Sequence, residues 1–151
     1  MNLATVFLAL LLLQHHDGVN ERGDKVMGFS HDKTTHHFLL YDDGGAIAVT
    51  ANDPADTASR DQIQMHLKHI SQMFSAGNFK APMLIHDQVP PGVPTLQKLK
   101  ADVRYDYEKT TNGASVQIRT TNPEALKAVH EFLRFQISDH KTGDPGTVQK
   151  R

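Results

Sequence analysis

A chain of 151 residues that is 38% hydrophobic and 22% charged can bury one core without covalent staples, and this predicts a single domain. Its formal net charge is −1 with both signs mixed along the chain, and no basic block points to nucleic acid or to an anionic membrane surface. Cysteine is absent, which excludes thiolate metal sites, cysteine nucleophiles and disulfides. The outliers are ten histidines, accompanied by five methionines.

Leu3 to Leu13 is an apolar run broken only by Thr5. It is shorter than the roughly 20 residues that span a bilayer and fits the apolar region of an export signal. No Lys or Arg precedes it, and Leu11 and Leu13 stand where cleavage favours small residues. Residues 1–13 therefore read as a signal peptide or short anchor, with the mature protein periplasmic or secreted and not held in the membrane. Residues 14–25 are polar, with two glycines and no apolar period, and are expected to be a flexible lead-in to a domain over 26–142.

Thr35–Tyr41 and Ala46–Ala51 flank Asp42-Asp43-Gly44-Gly45, the composition of a β-hairpin. Asn52-Asp53-Pro54 then opens a long helix, with Asp53 as cap and Pro54 in the first turn, and Gly77 is placed to end it. Ile63, Leu67, Ile70 and Phe74 share one face of that helix. Asn78 to Gln97 holds Pro82, Pro90, Pro91 and Pro94 and reads as a surface loop, with Met83–Asp87 as a short extended edge piece. Leu99–Glu108 alternates cleanly between apolar and charged residues, and Ala114–Thr121 follows the turn Thr111-Asn112-Gly113. Asn122-Pro123 caps a second long helix running to about His140. The last residues, 143–151, are expected to be a disordered tail. The fold class is thus α+β in two layers, an antiparallel four-stranded sheet of two hairpins covered by two long helices, in the order ββα-ββα.

The first helix carries Met65, His66, His69 and Met73 beside its apolar face, where residues three and four apart are neighbours. His36 and His37 are adjacent on a strand and point to opposite faces. His130 lies on the inner side of the last helix and His86 in the proline-rich segment, while His140 ends the last helix, where its dipole favours a cation. Taken singly, each histidine is a core residue with one hydrogen bond, and each methionine a gap-filler. Taken together, they face one interlayer region. Imidazole and thioether without thiolate suit copper before zinc, and the candidate ligands are His36, His66, His69, His86, His130, Met65, Met73 and Met27. No G-x-S-x-G, P-loop, G-x-G-x-x-G or H-E-x-x-H is present.

The strings MGFSHDKTTHHF, HLKHISQMFSAGNF, APMLIHDQVPPG and HEFLRFQISDH resemble a group of small exported bacterial proteins of uncharacterised function, over roughly Asn20 to Gly143. Some members of that group carry the name aspartate carbamoyltransferase. The chain lacks the S-T-R-T phosphate loop of that enzyme, so the resemblance implies export and no reaction.

These observations lead to an extracytoplasmic, non-enzymatic carrier or buffer of a transition metal, with the metal ion as its partner. The alternative is a small-molecule or peptide binding module, with its pocket between the proline-rich segment and the helices. A hydrolase or lyase using a histidine pair as acid and base ranks third. Convergent ring nitrogens would favour the metal; an apolar cavity with separated histidines would favour the binding module.

Overall fold

The computed structural model describes residues 18–151; the leader at 1–13 and the first part of the lead-in lie outside the described residues. The protein is α+β, built on an antiparallel four-stranded sheet. Its strands are β1 (Thr34–Tyr41), β2 (Gly44–Ala51), β3 (Val103–Thr110) and β4 (Gly113–Thr120), in the spatial order β1-β2-β4-β3. Both hairpins of the sequence reading form, and they join through β2 and β4.

Five described helices accompany the sheet: α1 over 18–27, α2 (Thr57–Ser75), α3 (Lys80–His86), α4 (Val93–Lys98) and α5 (Pro123–His140). A simple ββα-ββα order is therefore extended by a helix before the strands and by two short helices between the hairpins. Helix α1 replaces part of the expected flexible lead-in. Its buried Val19 and Gly23 and half-buried Met27 are spaced by four, a narrow stripe that polar neighbours conceal.

The proline-rich segment supplies the other correction, because Met83–Asp87 is not an extended piece and belongs mostly to α3. Pro82 and Pro94 sit within the first turns of α3 and α4, where backbone N–H groups have no intrahelical partner and a missing one costs nothing. Helix α2 starts three residues later than Pro54 suggests. Asp53 closes a turn by accepting from the Ala55 amide at 2.9 Å, while Asp56 is the cap, accepting from Ser59 N at 3.0 Å. Its far end is as read: Gly77 has φ +77°, Gly77 N donates to Phe74 O and Asn78 N to Met73 O.

One face of the sheet packs its side chains with those of α2 and α5. Phe38, Leu40, Ile47, Val49, Val116 and Ile118 join Ile63, Leu67, Ile70 and Phe74 of α2 and Ala128, Val129, Phe132 and Leu133 of α5 in one buried cluster. Phe74 and Phe79 stack at 4.3 Å between ring centroids, and Tyr105 and Phe132 meet them edge-on.

The end of the chain is ordered along the outer edge of β1. Gln149 exchanges backbone hydrogen bonds with Asp42 and Leu40, and Arg151 lies 4.3 Å above the Tyr41 ring while donating to Asp43. Its residues are polar enough to read as solvated, yet they cover backbone groups that an edge strand would otherwise expose.

The segment between α3 and α4 touches α5 backbone to backbone. Gly92 has φ +82°, and a Cβ there would stand 2.2 Å from Ala128 O. Gly92→Ala should therefore lower the unfolding free energy by at least about 2 kcal/mol in urea titrations. A loss below about 0.5 kcal/mol would show that this approach does not constrain α5.

Candidate functional site

The site grows from the far end of the seam between sheet and helices, away from the β1–β2 turn. On β1 the strand alternation sends His36 toward the helices and His37 outward. His37 Nδ1 bonds to Asp144 Oδ1 at 2.7 Å, and Asp144 Oδ2 accepts from the Phe38 amide at 3.0 Å. On α2, His66 stands beside Leu67 and Ile70 at the margin of the buried face. At the end of α5, Gln136 and His140 lie one turn apart on the side facing β1 and α3.

These residues line one cavity. His36, His66, His140, Gln136 and Met27 supply its few polar or soft atoms. Phe38, Val49, Ile70, Phe74, Pro82 and Ile85 make its walls apolar. The enclosed space is about 60 Å³, within about 510 Å³ of empty volume that includes the mouth.

The imidazoles form an aromatic chain and do not converge on a point. His66 meets Phe29 edge-on at 5.7 Å, Phe29 stacks with His36 at 6.0 Å, and His36 stacks with His140 at 6.0 Å and 4° between planes. His140 in turn meets His86 edge-on at 4.9 Å. Among the described residues no group of three or more His, Asp or Glu side chains is arranged to hold a metal ion.

Burial controls the charge of the two central rings. Loss of hydration pushes His36 down to about 4, and neighbouring His66 adds to the effect against an opposing pull from Asp24. Burial likewise pushes His66 down to about 4, with His69 adding. Both are neutral at pH 7, and His36 Nε2 is buried without a hydrogen-bond partner.

His86 is buried, and its Nδ1 donates to the Asp139 carboxylate. Its Nε2 lies 2.9 Å from Gln136 Oε1, and Gln136 Nε2 is buried without a partner. Either a doubly protonated ring donates to Oε1, or the amide is turned and its NH₂ donates to a bare Nε2. In both arrangements one end of the Gln136 amide is unsatisfied.

The candidate ligands separate into three places. His36, His66 and Met27 share the cavity, and His86 lies one ring behind His140. His69 and Met73 share a shallow outer groove with His66, lined also by Lys80 and Leu84, while Met65 is 71% exposed. His130 is at the other end of the seam, where its Nε2–H donates to Tyr41 O at 2.8 Å and Gly44 O at 3.0 Å. The reason is length: ten helical residues from His130 to His140 span about 15 Å, so one cavity cannot hold both ends. Gln136 and Phe29, which complete the site, carry no distinguishing sequence signal, and the signal at His140 is its place at the C-terminal end of the helix dipole.

The neutral rings have a consequence for stability. An unfolded histidine takes up a proton near pH 6.5, whereas His36 and His66 resist until about 4. Between those values the unfolded state binds more protons, so stability falls as pH drops through this window, by up to about 3 kcal/mol for each ring. Asp56 and Asp144 lie below the ordinary carboxylate range and act at still lower pH. Urea midpoints measured from pH 7 to 4 should decline steadily, and His36→Phe should remove about half of the decline. A midpoint independent of pH would contradict the neutral-ring description. Comparison with protein-family models, with curated proteins and with solved structures gives no match for this chain.

Proposed function

We propose that this protein binds a small, largely apolar molecule in the cavity between β1, α2, α3 and α5, the seam of a two-layer arrangement of one sheet and its covering helices. The observation that carries this reading is the pairing of apolar walls with two buried, unpartnered polar atoms, His36 Nε2 and the free end of the Gln136 amide. Such atoms cost roughly 1–3 kcal/mol each when left unsatisfied. A guest with an apolar body and one hydrogen-bonding group recovers that cost, and few polar groups on apolar walls are the usual make-up of a ligand pocket. The export expected from the sequence belongs to the same proposal.

Copper carriage, with zinc next, is the second reading. It is favoured by Met27 sharing the cavity with two neutral imidazoles, a donor set that suits a soft ion of low coordination number. The absence of a three-ligand group among the described residues weighs against it.

The test is the fluorescence of the apolar dye N-phenyl-1-naphthylamine. Saturable micromolar binding is expected, weakened by about tenfold or more in Ile70→Trp and in Ala81→Met, which fill the cavity from different elements. An anaerobic Cu(I) titration in parallel separates the second reading, since dye displacement by Cu(I) in the parent but not in His66→Phe would favour the metal. No dye binding, or equal binding by parent and both filled variants, would exclude the cavity as a ligand site.

A further inference from the structure

A second cavity adjoins the first on the side of α1. It holds about 250 Å³ and shares Met27, His36 and His140 with the apolar chamber. The partition between the two is thin: one thioether and the parallel pair of imidazole rings 6.0 Å apart. The linings differ in character. The inner chamber is walled by Phe, Ile, Val and Leu side chains, whereas the outer one is faced by Asn20, Thr34, Thr35, Thr142 and His31.

Among the described residues, no Lys, Arg, Asp or Glu side chain lines the outer cavity. His31, the other described titratable group besides the two shared rings, is held by carboxylates at both nitrogens, Asp24 at 3.0 Å through Nδ1 and Asp32 at 3.2 Å through Nε2. The shared His36 adds its buried, unpartnered Nε2. A charged group entering this space would lose hydration without meeting a described Lys, Arg, Asp or Glu side chain, whereas a hydroxyl or amide head would find the Asn20 amide and threonine oxygens able to accept, Thr34 and Thr35 donating their own protons to Ser30 O and Asn52 Oδ1.

Building on the proposed small-molecule reading, we propose that the ligand is an amphiphile with an uncharged, hydrogen-bonding head. Its apolar end occupies the chamber, and its hydroxyl- or amide-bearing head occupies the space between α1 and β1, with Met27, His36 and His140 at the junction. The geometry explains why a chamber of only about 60 Å³ is useful: it holds one end of a molecule whose remainder lies in the larger space beside it. It also accounts for α1, whose Val19, Asn20, Gly23 and Met27 form one wall of that space.

The experiment is calorimetric titration of the full mature chain with three probes of one tail length, used below their micelle concentrations: octyl β-glucoside, octanoate and octyltrimethylammonium. The glucoside should bind about tenfold or more tightly than either ion, and Asn20→Phe and Thr142→Phe should each weaken it by about tenfold. The two variants fill the space from a helix and from a loop, so misfolding of one does not remove the test. Equal or tighter binding of octanoate or the ammonium probe would overturn the uncharged head. Dye binding without any preference among the probes would overturn the two-compartment ligand and leave the chamber reading standing. Failure of the dye and all three probes would remove both.

Discussion

Helix α5 is held to the sheet at a point where β2 carries no side chain. A Cβ on Gly45 would lie 2.2 Å from Leu133 Cδ1, so the Leu133 side chain rests against the bare backbone of β2. Two further contacts fix it. His130 donates to the carbonyls of Tyr41 and Gly44, and Ala128 O lies against Gly92. These three contacts set both the depth and the rotation of α5. Everything on its C-terminal half follows: Gln136, Asp139 and His140 are delivered to β1 and α3 because the N-terminal half cannot shift. His130, a candidate ligand by residue type, is thus the residue that aims the helix bearing the site.

The chemistry of the cavity is set by desolvation. Two imidazoles sit among aromatic and aliphatic side chains, where a charge loses hydration that no nearby carboxylate fully restores. They therefore remain neutral, each able to donate from one nitrogen and accept at the other. The stack running His66–Phe29–His36–His140–His86 keeps the rings apart as well as ordered. Aromatic contact at about 5–6 Å between centroids is a packing arrangement; metal ligation would turn ring nitrogens toward one point about 2 Å away.

The same separation gives the molecule two kinds of interior. Beneath α2 and α5 the core is closed by the Phe74, Phe79, Phe132 and Tyr105 cluster. Toward α1 the packing loosens into two cavities, with hydroxyl and amide groups on the outer side. Helix α1 joins the body at this loosened end, and the ordered C-terminus closes the sheet edge at the opposite end of β1. The unsatisfied His36 and Gln136 atoms lie together at this loosened end.

The amino-acid order alone determined the elements whose signals are local. Turn residues between β-prone runs marked both hairpins, with alternation in Leu99–Glu108, and the spacing of Ile63, Leu67, Ile70 and Phe74 marked α2. Asn122-Pro123 marked the start of α5, and Gly77 the end of α2, since caps, turns and periodicity act within a few residues. Helices α1, α3 and α4 were not legible, because polar neighbours and prolines outweigh a stripe of only two to four buried residues. Which histidines meet was decided by tertiary structure alone. His36, His66, His86 and His140 come from four separate elements, and their distances depend on where α5 is pinned and how far each residue lies from that pin along a helix or strand. A pattern of residue types names candidates for a site; only the long-range packing of helix on backbone decides which of them share a cavity and whether their nitrogens face a metal, a partner or an open space.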